Sequence, residues 1–193
     1  ASVVPIRIST PPVANFIQPQ TSVCTGTQIC LTNSSTGGDA ATSSSCVAPK
    51  LIWTITPNTG FILASGSLGD DFGNTNTNAW STGSPSICPI FSVSGNYTIT
   101  LKIGNRCGID TISKTICVQP PLTPLFTLNT NTGCTPLAVT ATNNTVLTNQ
   151  CATPTYLWSV TYASGFCGTS ITPIPNQSTA NANFNFTEPG TYT

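Results

Sequence analysis

Gly95-Asn96-Tyr97-Thr98-Ile99-Thr100-Leu101-Lys102-Ile103 decides the fold. Tyr97, Ile99, Leu101 and Ile103 alternate with polar residues, the period-two pattern of a strand with one buried face. The head of this stretch returns as Gly190-Thr191-Tyr192-Thr193. Working outward, Cys24-Thr25-Gly26-Thr27-Gln28-Ile29 aligns without a gap on Cys134-Thr135-Pro136-Leu137-Ala138-Val139. Ile6, Phe16, Cys24 and Asn33 recur as Ile116, Phe126, Cys134 and Asn143, and Cys46 and Cys151 each stand seven residues before a tryptophan, Trp53 and Trp158. The offset shrinks along the chain, as it does when loops shorten and strands keep their length. A period of this size predicts tandem domains.

The same alternation marks Leu51, Trp53 and Ile55, then Ile29 with Leu31, Val139 with Ala141, and Ile112, Ile116 and Val118. No segment carries a long helical stripe, and Gly, Pro and Asn clusters punctuate the strands. About seven short strands per unit predict an all-β Greek-key sandwich. Trp53 and Trp158 stand where an immunoglobulin-like strand places its core tryptophan, and Tyr97 and Tyr192 where a tyrosine corner belongs. Sugar stacking is the functional reading of Trp53; core packing is favoured, because Leu51 and Ile55 share its face. Pro5-Ile6-Arg7-Ile8 lies over Thr115-Ile116-Cys117-Val118. The expected division is therefore a last strand of a preceding repeat (1–10), a complete sandwich (11–119) and a second sandwich truncated before its last strands (120–193). Pro11-Pro12 and Pro120-Pro121 mark stiff joints.

Composition narrows the function. Charged residues make up 5% of the chain and the net charge is zero, which argues against nucleic acid and anionic membranes as partners. No apolar run is long enough to cross a bilayer, so no membrane insertion is expected. Nine cysteines point to an oxidising compartment, and the absence of His and of Cys-x-x-Cys argues against zinc sites. Without His there is no Ser-His or Cys-His nucleophile pair. Asp39, Asp70, Asp71, Asp110 and Glu188 form no recognisable catalytic pair, since neighbours on an extended segment point to opposite faces. No enzyme activity, catalytic residue or cofactor is expected. Asp70-Asp71-Phe72-Gly73-Asn74 offers the hard oxygen ligands that calcium takes, but it lacks the spaced acids of an EF-hand loop, so a solvated Asn/Gly loop is favoured and no metal is expected. Asn33, Asn96, Asn143, Asn176 and Asn185 head Asn-x-Ser/Thr sequons, candidates for glycosylation.

Val13-Ala14-Asn15-Phe16, Leu31-Thr32-Asn33-Ser34-Ser35, Leu51-Ile52-Trp53 and Ser94-Gly95-Asn96-Tyr97-Thr98-Ile99-Thr100-Leu101 together resemble the PKD (polycystic kidney disease) domain pattern, an immunoglobulin-like sandwich. Thr142-Asn143-Asn144, Tyr156-Leu157-Trp158-Ser159 and Glu188-Pro189-Gly190-Thr191-Tyr192-Thr193 repeat it. The Gly-Asp-Gly usual after the tryptophan strand is absent. Val23-Cys24-Thr25-Gly26 and Arg106-Cys107-Gly108 resemble the cysteine-bearing variant in very long cell-surface adhesins of Bacteroidota, including gliding-motility adhesins. Asp110-Thr111-Ile112 resembles the O-glycosylation site of the same bacteria, with Thr111 as acceptor.

The resemblance implies a structural and adhesive segment of an extracellular cell-surface fibre. Its partners would be neighbouring repeats, like chains in a fibre, and surface glycans or other cells. The alternatives are an accessory module of a secreted protease or polysaccharide hydrolase, and a repeat subunit of a polymerised surface filament. Placed on such a sandwich, Cys30 and Cys88 are both missing from the second unit, where Thr140 and Asn183 stand, which suggests that they bond to each other. Cys24 with Cys117 and Cys46 with Cys107 are then the other expected pairs, and Cys134 the thiol expected to lack a partner. A competing scheme bonds the thiol of one unit's late hairpin to the early-strand cysteine of a neighbouring unit.

Overall fold

The structure is a computed structural model describing residues 6, 8–39, 48–164 and 173–193. It divides into two compact units, Ala1–Pro120 and Pro121–Thr193. In the first unit the strands are β1 (Thr10–Val13), β2 (Phe16–Ile17), β3 (Ser22–Cys24), β4 (Leu31–Asn33), β5 (Thr36–Gly38), β6 (Lys50–Thr56), β7 (Phe61–Ser65), β8 (Ser86–Phe91), β9 (Gly95–Asn105) and β10 (Gly108–Gln119). The second unit holds β11 (Phe126–Leu128), β12 (Leu137–Asn143), β13 (Tyr162–Ser164), β14 (Ala182–Phe186) and β15 (Thr191–Tyr192).

Two four-stranded sheets make the first unit, ordered β2-β4-β8-β7 and β3-β10-β9-β6. That is the A-B-E-D and A′-G-F-C arrangement of an immunoglobulin-like sandwich. β9 and β10 form a long antiparallel hairpin, from Asn105↔Gly108 at its tip to Gly95↔Val118 at its base. β3 runs parallel to the end of β10, with Cys117 opposite Ser22 and Gln119 opposite Cys24. β6 flanks β9 antiparallel, Trp53 facing Leu101.

The alternation in the sequence builds the core. Leu51, Trp53, Ile55, Tyr97, Ile99, Leu101, Ile103, Ile116 and Val118 point inward from one sheet, and Phe16, Leu31, Ile87 and Phe91 meet them from the other. Trp53 is 1% exposed and packs edge-on to Phe16 at 5.3 Å, while its Nε1–H donates to the Ser84 carbonyl at 2.9 Å. Burying such a ring with its one donor satisfied is how tryptophan contributes most to a core. Trp53 is thus a packing residue.

The second unit repeats these contacts. Phe126 meets Trp158 edge-on at 5.2 Å, and the Trp158 Nε1–H donates to the Thr179 carbonyl at 2.9 Å. Phe186 lies 4.5 Å from Tyr192, as Phe91 lies 4.4 Å from Tyr97. The small core is Ala141, Ala182 and Phe184, with Trp158, Val160, Ile174 and Phe186 partly buried against it. The sequence predicts Trp158 to be as buried as Trp53; it is only half-buried. Among the described residues Trp53 lies in a core of sixteen buried residues, whereas Trp158 lies against a core of three.

Candidate functional site

Both tyrosines form the expected corner. The Tyr97 hydroxyl donates to the Val93 carbonyl at 3.0 Å and the Tyr192 hydroxyl to the Glu188 carbonyl at 2.9 Å, four residues back in each case. Burial raises the Tyr97 pKa above the ordinary tyrosine value, so the ring stays neutral and keeps its donor.

The β9–β10 hairpin tip defines one pole of the first unit. Asn105, 5% exposed, holds it together. Its Oδ1 accepts from the Cys107 amide at 2.8 Å, and its Nδ2 donates to the Thr10 carbonyl at 2.7 Å. The chain therefore enters the bead beside the hairpin tip. The far end of β10 meets β3 at Gln119↔Cys24, and Pro120-Pro121 follows. From Gly108 to Gln119 are eleven strand steps, roughly 36 Å, so entry and exit lie at opposite poles.

The cysteines are distributed over this frame. Cys30 and Cys88, expected to pair, are joined by a disulfide that closes a 58-residue separation. Cys117 takes part in a disulfide, and so does Cys151. The expected Cys24–Cys117 bond is corrected, because Cys24 is a free thiol. The reason is register. Cys24 sits two residues along from Ser22, the residue opposite Cys117, and a diagonal pair about 7–8 Å apart lies beyond disulfide reach. Cys24 also belongs to β3, in the sheet opposite β4, and does not open the β4 strand. The expected Cys46–Cys107 bond is corrected as well: Cys107 is an exposed free thiol, and Cys46 lies outside the described residues. Cys134 is free and exposed, as expected.

The segment from Gly66 to Pro85 carries the calcium candidates, and the structure gives it another task. Asp70 Oδ1 accepts from the Phe72 amide at 2.7 Å and Asp71 Oδ1 from the Gly73 amide at 2.9 Å. Asp71 Oδ2 is bonded to Lys102, which holds the Asp71 carboxyl below its usual pKa. Asp71 is thus engaged through both carboxylate oxygens and Asp70 through Oδ1. The segment pairs with itself at Asp70↔Ser81, and a short 3-10 turn (Thr77–Ala79) leads into Trp80, 3% exposed, whose Nε1–H donates to the Asn74 carbonyl at 2.8 Å. Lys102 Nζ stands 5.0 Å above the Trp80 ring.

This segment covers the outer edge of β6. The Trp53 amide donates to the Leu68 carbonyl at 2.8 Å and the Gly83 amide to the Leu51 carbonyl at 2.7 Å. A side chain at Gly83 would bring its Cβ within 2.5 Å of the Leu68 oxygen. An edge strand that would otherwise invite a foreign strand is closed. Sequence reading missed both the Trp80 clamp and this cover; a buried-type residue within a polar loop was the available signal.

The glycosylation candidates lie at the surface or half-buried. Thr111 is exposed on β10, opposite Lys102, while its neighbour Asp110 turns away to accept the Ala14 amide at 2.7 Å. That hydrogen bond lowers the Asp110 pKa. Asn96, Asn176 and Asn185 are exposed; Asn33 and Asn143 are half-buried, each accepting the amide two residues on, Ser35 and Thr145, at 3.0 Å. The cavities are shallow. One of about 470 Å³ lies by the hairpin tip between Asn76, Asn78, Arg106 and Ile109; another of about 280 Å³ lies in the second unit between Ile174, Phe184, Glu188 and Tyr192. Neither brings a nucleophile beside a base. Among the described residues no helix is long and apolar enough to cross a membrane.

No protein-family model matches the chain, and no curated protein does. Among solved structures the chain is similar to the titin domains Z1Z2 in complex with telethonin, with a TM-score of 0.35 and 13% identity over 96% of this chain and 88% of that one. It is also similar to a chimeric titin Z1Z2 functionalized with an exogenous KLER peptide from decorin, with a TM-score of 0.34 and 15% identity over 59% of this chain and 99% of that one. Its strand order, its buried tryptophan and its tyrosine corners make the chain an all-β protein of immunoglobulin-like sandwiches.

Proposed function

We propose that this chain is a structural and adhesive segment of an extracellular cell-surface fibre, its beads serving as spacer and contact surface. The observation that carries the reading is the route of the chain through the first bead. It enters beside Asn105 and leaves after Gln119, at the opposite pole. A domain threaded from pole to pole passes tension along its strands and lengthens whatever it is inserted into. Disulfide-bonded cysteines fit an oxidising, non-cytoplasmic setting. A neutral, Thr- and Asn-rich exterior fits a coat whose units lie side by side without repulsion. No catalytic step and no cofactor belong to this reading.

Electron microscopy of the intact parent protein tests it. Long thin fibres of many beads are expected. A compact particle with one or two such beads beside a catalytic domain would replace the reading with that of an enzyme accessory module. Assembly of short chains into a polymer would favour the filament subunit.

A further inference from the structure

β7 ends the sheet ordered β2-β4-β8-β7, so one of its edges has no neighbouring strand. The register shows which backbone groups point there. In an antiparallel pair, opposite residues either bond each other or both face away. The Pro89 carbonyl accepts the Ile29 amide at 3.1 Å and the Phe91 carbonyl the Gly26 amide at 2.8 Å, both away from β7. Leu63, opposite Pro89, and Phe61, opposite Phe91, therefore turn their amides and carbonyls outward. The Gly60 carbonyl, one residue earlier, faces β8 and accepts the Ser92 amide at 2.8 Å. Among the described residues no partner meets the outward groups of Phe61 and Leu63. Edges are commonly guarded by charges, prolines or a covering segment. β6 has such a cover; residues 51–69 hold no Lys, Arg, Asp or Glu, and β7 holds no Pro. The Phe61 and Leu63 side chains pack against the core, while Ile62 is 67% exposed on the outer face. A bulge between Leu63 and Ser65 ends the regular run, which leaves Phe61-Ile62-Leu63 as the stretch able to pair.

We infer that the bare edge of β7 pairs antiparallel with β7 of a second copy of this chain, joining two beads side by side through one continuous sheet. The run matches itself. Turned about a two-fold axis through Ile62, Phe61 exchanges amide and carbonyl bonds with Leu63 of the second copy, and Leu63 does so with its Phe61. Such a contact is isologous and closes on itself. Ile62 meets its own counterpart across the axis as a non-hydrogen-bonded pair, with Cα atoms about 4.5 Å apart, so each copy covers the other's exposed apolar side chain. With no charged residue in the paired strands, the two copies approach without repulsion. Bonds to an added strand run perpendicular to the strands. The contact therefore lies on the flank of the bead, away from the poles at the strand ends where the chain enters and leaves. The inference extends the fibre reading by giving two fibres a lateral contact. One such edge is short; repeated along a fibre, its effect is multiplied.

The test follows the purified chain, its free thiols alkylated, by sedimentation equilibrium and hydrogen exchange over a concentration series reaching about millimolar. A monomer–dimer equilibrium is expected. Exchange at the Phe61 and Leu63 amides should slow as concentration rises, while the Ile62 amide, which faces β8, exchanges at a constant rate. I62K sets like charges opposite each other at an exposed position and should weaken the dimer by roughly tenfold or more, with the fluorescence of the buried Trp53 unchanged. I62C, left unalkylated, should lock the dimer under mild oxidation and yield peptides joined at position 62. A chain that stays monomeric throughout, a dimer unmoved by I62K, or exchange that slows elsewhere and not at Phe61 and Leu63 would each overturn the inference. So would a monomer whose edge is protected only by an added extended peptide. Long fibres seen singly, with a monomeric chain in solution, would remove the lateral contact and leave the fibre reading standing. A compact parent particle whose chain still pairs at Ile62 would do the reverse.

Discussion

Asp110 shows how single side chains fasten the short strands of this bead. It accepts the Ala14 amide and so ties the segment after β1 to β10. Because that bond favours the charged form, the folded-state pKa lies below the unfolded one. Its stabilisation is complete above the ordinary aspartate pKa of about 3.9 and is lost as pH falls through the lowered folded value. Asp71, lowered by Lys102, acts in the same window. Asp110→Asn should therefore be less stable than the parent at pH 7, and the gap should narrow at pH 3. Urea midpoints at both values check this; a gap that is the same at both would refute it. The hydrogen bond was illegible in sequence, where Asp110 read only as part of an O-glycosylation motif. A carboxylate partner 96 residues away leaves no local pattern.

At the scale of elements, alternation made the long strands legible. β6, β9 and β10 carry their apolar residues on one beat, and Trp53 fell where the beat placed it. β3 was missed because its single inward residue, Val23, makes no pattern, and so the Cys24–Cys117 pair was expected without its register. The cover over β6 was missed because backbone amides do its work. Two substitutions test these elements. Trp53→Ala should cost about 3–5 kcal/mol, the range for emptying a large aromatic site in a closed core. Trp158→Ala should cost distinctly less, since Trp158 is only partly buried, against a smaller core; equal losses by chemical denaturation would contradict the described packing. Gly83→Ala should cost about 1–3 kcal/mol by overpacking and should speed hydrogen exchange at the Trp53 amide, whose acceptor Leu68 would be displaced. Unchanged exchange there would mean that the segment does not guard the edge.

At the scale of the whole molecule, the Cys30–Cys88 bond sets what force can extract. It closes off 58 residues, roughly 200 Å of extended chain, and by constraining the unfolded chain it contributes about 4 kcal/mol. Single-molecule stretching should show each first-type bead lengthening by that additional amount once reductant is present, and identical extension with and without reductant would count against a mechanical role. The tandem architecture was legible because repeats announce themselves in sequence; the disulfide partners were only partly so, because bonding depends on register to within one residue. The ion pairs carry a last consequence. Lys102 is matched to Asp71 and Arg106 to Asp39, while Lys50 bonds the Asn78 and Trp80 carbonyls and Lys114 the Phe16 carbonyl. A molecule with 5% charged residues and no net charge, two of its ion pairs closed among the described residues, projects only a weak field for dissolved ions to screen. Its contacts with neighbours should hold alike in fresh water and in brine, making it a material indifferent to salinity.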